Sequence, residues 1–321
     1  MKLIITGGSG FIGTNLVLSL INDTKIKQIV IIDNLKTSSI KNVNLIKKLD
    51  NRKIIKFHKI SISERSFLNK PIFKSNFDIL IHLAAQSSGE NSFYEPVYDI
   101  DTNINGTLNI LNLAKQTKVS KLIFTSTMSV YGNVKSESKI NENFKTNPSS
   151  IYGITKLTSE RVIESLCQKN NIKFTILRLF NVYGSYQDLS NMKQGMLSIY
   201  LSYLINNQNL IVKGSLSRYR DFIYIEDLIN VFKILIEKKL NNKTYNIGTG
   251  KKTTVRKLIN LLIKYLEIEK KNIKIYLQAS TPGDVKGFTS NSNLFKKDYD
   301  WKIINNIEEG IYKTIKFYKN D

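Results

Sequence analysis

The sequence predicts a doubly wound α/β fold, a parallel-sheet Rossmann unit with a smaller C-terminal substrate-binding lobe. Three observations carry that prediction. Short, nearly continuous apolar runs recur at residues 3–6, 28–32, 54–58, 79–83, 122–125 and 174–179. Such runs suit strands buried on both faces of a parallel sheet. Segments with helical spacing alternate with them, as βαβ units require. A glycine-rich turn follows the first run and opens the first helix.

Each element has its own reason. Residues 102–116 place Ile104, Leu108 and Leu111 on one helical stripe, and residues 151–168 do the same with Ile154, Leu157, Val162, Ile163 and Leu166. After about residue 180 the alternation loosens. Helical stretches at 196–205 and 227–238 are separated by loops containing Gly214, Gly248 and Gly250. A last helix is expected over 304–318, with Ile304, Ile307, Ile311 and Ile315 on one face. The expected division is a dinucleotide-binding unit over 1–180 and a substrate lobe over 181–321, some of which returns to the first sheet.

Composition excludes several classes. The chain has 321 residues, 41% of them hydrophobic, enough for a sizeable core and not the composition of a disordered protein. Its formal net charge is +22, but the lysines are spread over the whole length without a dense basic tract. The charge therefore reads as a solvated basic surface, with no nucleic-acid partner expected. No run reaches the roughly 18–20 apolar residues of a membrane span, and Gly7, Gly8, Gly10 and Gly13 interrupt the apolar start, so neither a signal peptide nor a membrane partner is expected. The single cysteine, Cys167, forms no disulfide framework and reads as a buried thiol, which fits a cytoplasmic location. No metal-ligand set is expected.

The turn Thr6-Gly7-Gly8-Ser9-Gly10-Phe11-Ile12-Gly13 contains G-x-G-x-x-G. Glycines there let the backbone approach a pyrophosphate, which then sits at the positive end of the following helix. Alone the motif is weak. Its place between strand and helix strengthens it, as does Asp33 at the end of the second strand, 20 residues after Gly13. A carboxylate there accepts hydrogen bonds from the adenosine ribose and repels a 2′-phosphate, so NAD is the expected cofactor.

Tyr152 and Lys156 stand four apart and share one face of a helix. An ammonium beside a phenol favours the phenolate, a useful general base. The fifth strand ends in Thr125-Ser126-Thr127, whose hydroxyls reach for the same place. Y-x-x-x-K is common by chance on amphipathic helices; after the glycine loop and a hydroxyl-bearing strand end it is not.

These motifs, with Asp33-Asn34-Leu35, His82 to Gln86, Asn103 to Thr107, Ser126 to Gly132, Arg178 to Gly184, Arg220 to Tyr224 and Pro282-Gly283-Asp284, run in order along nearly the whole chain. In them the sequence resembles the NAD-dependent epimerase/dehydratase family, the extended short-chain dehydrogenases. The resemblance implies Thr127, Tyr152 and Lys156 as the catalytic set, with Lys156 also on the nicotinamide ribose. It implies NAD contacts from Gly7, Gly10, Phe11, Ile12, Gly13, Asp33, Asn34, Ile62, Leu83, Ala84, Ala85, Asn103, Thr125 and Phe180, besides Tyr152 and Lys156. Thr127, Asn181, Arg220, Asp284 and Phe288 would meet a nucleotide-sugar. Blander roles compete: Asn181 capping a turn, Arg220 pairing a surface carboxylate, and His82 as a satisfied strand-end histidine, the reading preferred for it.

The resemblance also narrows the reaction. The family's 4,6-dehydratases carry Asp-Glu directly after the catalytic threonine, and its decarboxylases usually carry Glu at the second position. This chain has Met128 and Ser129. The implied outcome is C4 epimerisation of a UDP-hexose such as UDP-glucose or UDP-galactose, with Gly283-Asp284 also epimerase-like. The alternatives are epimerisation of UDP-N-acetylhexosamine or UDP-glucuronate, another reaction of the family, or a non-catalytic NAD-binding regulator. Three departures stand out. Thr281 replaces a frequent arginine and Ser61 an acid near adenine. Phe288 either crowds the sugar's C2 side or belongs to the core. The family often forms homodimers through helices near 102–116 and 151–168, so a homodimer is expected.

Overall fold

The computed structural model describes residues 1–134, 139–193, 195–269, 273–280 and 285–319. Seven parallel strands form the main sheet: β1 (Lys2–Thr6), β2 (Gln28–Asp33), β3 (Ile55–Lys59), β4 (Ile79–His82), β5 (Lys121–Thr127), β6 (Lys173–Leu179) and, far later in the chain, β11 (Lys243–Ile247). Their spatial order is β11-β6-β5-β4-β1-β2-β3. The order reverses between β1 and β4, and a crevice opens outside the carboxyl ends of the strands at such a switch point. Side chains alternate across the sheet. Leu3 and Ile5 enter one core with Ile29 and Ile31, while Ile4 enters the other with Val30 and Ile32.

The Rossmann helices are α1 (Phe11–Leu20), α2 (Ile40–Leu49), α3 (Gly89–Tyr94), α4 (Pro96–Ile100), α5 (Gly106–Gln116) and α6 (Ile151–Lys169). The second half adds α7 (Met196–Ile205), α8 (Ile225–Glu237), α9 (Val255–Leu266), α10 (Asn293–Tyr299) and α11 (Ile307–Lys319). It also holds three two-stranded sheets, pairing β7 (Asn181–Tyr183) with β10 (Phe222–Tyr224), β8 (Leu210–Lys213) with β13 (Ile275–Gln278), and β9 (Tyr219–Arg220) with β12 (Thr253–Thr254). Apolar residues of α8, α9 and α11, among them Phe232, Leu262 and Ile311, share one core with a face of the main sheet.

The structure corrects three sequence expectations. The helix expected over 102–116 is two pieces, a π-helical turn at Asp101–Asn105 and then α5. Of its expected apolar stripe Leu111 is buried, but Leu108 is 36% exposed, and the buried face adds Ile110, Leu113 and Ala114. The last helix starts at Ile307, not 304, because the Asn306 side chain accepts the N–H groups of Glu308 and Glu309 and caps it. Ile304 lies outside it, 73% exposed. The strand β11 reads K-T-Y-N-I, too polar to stand out as a buried run, yet it completes the sheet.

Candidate active site

The glycine loop joins β1 to α1 and forms a wall of a cavity of about 830 Å³, within the range of cofactor pockets. Two glycines are sterically fixed. Gly7 has φ +67°, and a Cβ there would lie 2.7 Å from the Ala84 backbone nitrogen; a Cβ on Gly13 would lie 2.2 Å from the Gly7 carbonyl oxygen. Gly7, Gly10, Phe11, Ile12, Gly13, Asp33, Asn34, Ile62, Leu83, Ala84, Ala85, Thr125 and Phe180 all line this cavity, as do Tyr152 and Lys156. The Asp33 carboxylate ends β2 and accepts hydrogen bonds from the Ser9 N–H (3.1 Å), the Leu35 N–H (2.9 Å) and the Ser38 hydroxyl (2.9 Å). A carboxylate offers about four acceptor directions, so one remains for a ribose hydroxyl.

Asn103 is placed differently. It is buried under α6 and is not among the cavity-lining residues. Its amide donates to the Gln86 carbonyl (3.0 Å), to Asp99 (3.0 Å) and to Thr155 (3.1 Å), and accepts the Gln86 N–H (2.9 Å). His82 is likewise structural. Its ring nitrogens meet Thr6 (2.7 Å) and Thr107 (3.1 Å), and burial pushes its pKa down to about 3, so it stays neutral.

A second cavity of about 330 Å³ adjoins the first, with Thr127, Tyr152, Phe180 and Asn181 lining both. Tyr152 and Lys156 project from the first turns of α6, which is capped by the Ser150 hydroxyl accepting the Gly153 N–H (3.1 Å). Lys156 lies with Nζ 4.0 Å from the centroid of the Phe124 ring. Burial lowers its pKa to about 7, against the pull of Glu160 and Asp99. Burial pushes the Tyr152 phenol up to about 12, while the Thr127 hydroxyl beside it favours the phenolate. Thr127 also accepts the Ser129 N–H (3.1 Å), which fixes the end of β5.

Substrate candidates gather around the second cavity. The Arg220 guanidinium donates to the carbonyls of Tyr219 (2.7 Å) and Val285 (3.0 Å). Burial and neighbouring Arg218 lower its pKa to about 10. Asn181 Oδ1 is buried and has no hydrogen-bond partner among the described residues. Phe288 is both core and wall. It stacks edge-on against Phe180 (5.8 Å) and Tyr131 (6.1 Å) while lining the cavity. Asp284 and Thr281 lie outside the described residues.

Sequence reasoning missed one wall. The segment after β7 carries Tyr186, Gln187, Asp188, Leu189, Ser190 and Asn191 past the cofactor cavity. Asn15 on α1 donates to the Ser185 carbonyl (2.9 Å), Tyr318 on α11 donates to the Gln187 carbonyl, and the Tyr186 and Phe317 rings meet edge-on at 4.6 Å. The long separation of Tyr186 and Phe317 in sequence hid it; no local motif marks such a contact. Glu90, Ser88 and Lys193 on the second cavity were missed for the same reason.

A switch-point cavity with a glycine loop at one end and a Tyr–Lys pair at the other defines an NAD-dependent enzyme of the extended short-chain dehydrogenase class. Residues 4–314 match the family model described as GDP-mannose 4,6 dehydratase, and the chain belongs to that family, within the NAD-dependent epimerases and dehydratases. It is 32% identical over 321 residues to a Methanocaldococcus jannaschii protein named "Putative UDP-glucose 4-epimerase", covering 99% of each chain. The UDP-glucose 4-epimerase of Thermotoga maritima, solved with UDP-glucose, superposes with a TM-score of 0.90 at 30% identity, covering 100% of this chain and 99% of the other. That of Thermus thermophilus, solved with NAD, gives 0.87 at 25% identity, covering 99% of both. Similar proteins also include dTDP-D-glucose 4,6-dehydratases.

Proposed function

We propose that the chain is a UDP-hexose C4 epimerase that interconverts UDP-glucose and UDP-galactose, or a close analogue, with NAD in the larger cavity. NAD supplies reversible two-electron redox chemistry at the sugar C4. Tyr152 takes the proton of the C4 hydroxyl and gives it back, Thr127 orients that oxygen, and Lys156 holds a positive charge that favours the phenolate. Asn181 and Arg220 hold the diphosphate, which leaves the 4-keto sugar free to present its other face at the same two catalytic side chains. Phe288, held edge-on by two rings, is a rigid wall that favours hexoses without an N-acetyl group.

The observation that carries this reading over dehydration is the chemistry beside Thr127. Met128 and Ser129 line the second cavity where an acid–base pair would be needed. Among the described residues Glu90 is the one carboxylate on that wall, and Lys213 pairs with it at 2.8 Å.

The test is to incubate the purified protein with UDP-galactose and catalytic NAD and follow the sugar protons by NMR. UDP-glucose should appear without stoichiometric NADH, and Tyr152→Phe should slow it by about 10³-fold. No conversion by the wild type would reject this substrate. Net NADH would indicate a dehydrogenase.

The reading includes a cytoplasmic homodimer. Val97 (72% exposed), Ile100 (43%), Leu108 (36%) and Ile154 (50%) on α4, α5 and α6 leave apolar surface that a second copy would cover. Ile154→Glu should turn a dimer into a monomer by light scattering; a wild-type monomer would refute this part.

A further inference from the structure

Beneath the first turn of α6 lies a carboxylate that the reaction above does not use. Asp99, on α4, is wholly inaccessible to solvent. Its side-chain oxygens meet donors: Gln86 Nε2 (2.5 Å), Asn103 Nδ2 (3.0 Å) and the Thr155 hydroxyl. The two amides are not free to turn round. Gln86 Oε1 accepts the Ser88 N–H, which fixes its NH2 end toward Asp99. Asn103 Oδ1 accepts the Gln86 N–H, which fixes its NH2 end likewise. A pocket lined by oriented donors is built for an ionised, acceptor-only carboxylate and not for the neutral acid.

That charge has no ion-pair partner within 4.0 Å among the described residues. The other carboxylate near Lys156 is different. Glu160, one turn further along α6, is fully buried but takes three guanidinium bonds from Arg178 at 2.7–3.2 Å, and a further one from the Ser126 hydroxyl. Its charge is met by a cation. His82 on β4, which stays neutral, and the Phe124 ring on β5 also lie beside Lys156. Asp99 is thus an anion near the catalytic pair with no ion pair of its own within 4.0 Å among the described residues, and it raises the pKa of both Tyr152 and Lys156. Burial is the largest effect on its own pKa and leaves it raised above the usual carboxylate value, although its three donors and Lys156 pull the other way.

We infer that Asp99 is a positioning residue: it tethers the catalytic turn of α6 through Thr155 and supplies the fixed negative charge against which Tyr152 and Lys156 ionise. The tether is direct, since Thr155 stands immediately before Lys156 and three residues after Tyr152. Ser159, one turn on, adds a second hold through the Asn103 carbonyl (2.7 Å). The charge gives α6 a defined working pH. A fixed anion disfavours the phenolate and favours the ammonium, so it places both ionisations higher than burial and Thr127 alone would. The inference rests on Tyr152 and Lys156 being the proton-transfer pair, and not on which sugar is bound.

The experiment compares the NAD-loaded wild type with Asp99→Asn and Thr155→Val. Two readouts are taken: the pH profile of kcat on UDP-galactose, and the ultraviolet phenolate titration of Tyr152, obtained by subtracting Tyr152→Phe. Asp99→Asn should move both limbs of the profile and the phenolate midpoint to lower pH, by about one pH unit. Thr155→Val breaks the tether but leaves Gln86 and Asn103 to hold the charge, so it should lower kcat and move the limbs by less than Asp99→Asn does. A folded Asp99→Asn with limbs and midpoint unmoved would overturn the inference, as a purely structural role lowers kcat alone. Should Asp99→Asn fail to fold, Asp99→Ser removes the same charge with a hydroxyl that still accepts from the Gln86 and Asn103 amides, and should lower the midpoint; an unmoved midpoint there overturns it equally. If the wild type does not turn over UDP-galactose, the substrate reading fails, while the phenolate titration still decides the role of Asp99.

Discussion

The two cavities that meet at Tyr152 are built by different means. The larger one has at its cofactor end a wall fixed by backbone sterics, the glycine loop with the ends of β1, β2 and β4, and the carboxylate of Asp33 held by its own loop. The smaller one draws on segments far apart in sequence, at 87–90, 127–129, 149–152, 179–181, 193, 195–196 and 220, and on Val285 and Phe288. A backbone cradle recognises what is constant, a dinucleotide. A side-chain wall can be changed one residue at a time, and a family with one cofactor and many sugars uses that freedom.

On this division, substitutions in the first cavity should be all-or-none and those in the second graded. Gly13→Val is the harshest. Its Cβ would meet the Gly7 oxygen at 2.2 Å and the Gly8 Cα at 2.5 Å, both backbone atoms that cannot step aside. The purified variant should carry no NAD, measured on the acid-released cofactor; wild-type content would break the comparison. Arg220→Gln should act on sugar-nucleotide affinity alone. Losing a charge-assisted contact of about 1.5–3 kcal/mol raises KM by roughly 10- to 100-fold, with NAD content unchanged. An equal fall in NAD content would show the two cavities are not separable.

Lys156→Met, at the junction, sharpens the comparison by separating stability from activity. The folded pKa of Lys156, about 7, lies below the ordinary lysine value of 10.5. The unfolded chain therefore binds the proton more tightly. The group destabilises the fold below pH 7, and that penalty fades as pH rises from 7 to 10.5. Removing the charge should raise the Tm at pH 6 by a few degrees, leave it nearly unchanged above about pH 10, and abolish turnover. A lower Tm at about pH 6 would show that Asp99 and Glu160 more than offset the cost of burying the ammonium.

The same division explains what the sequence disclosed. The glycine loop, Asp33 and the Tyr152–Lys156 pair are short-range patterns, visible because a tight turn and one helical repeat each constrain neighbours in the chain. The strands β1 to β6 were visible because burial on both faces forces a continuous apolar run. Strand β11 was not, since Lys243, Thr244 and Asn246 interrupt its run and only its pairing with β6 makes it a strand. Asn103 read as a cofactor contact because it sits in a family motif; its amide instead serves Gln86, Asp99 and Thr155, a set of partners up to 52 residues away. Glu90 and the 186–191 wall left no local trace for the same reason: their neighbours are set by tertiary packing.

The aromatic clasp between Tyr186, Phe317 and Tyr318 bears on how the protein is made. A ribosome delivers the glycine loop first and α11 late, and Tyr318 follows Gln187 by 131 residues. At typical rates of synthesis that gap lasts on the order of ten seconds. Through that interval the clasp that closes the far wall of the cavity is missing, so that side stays open until α11 docks.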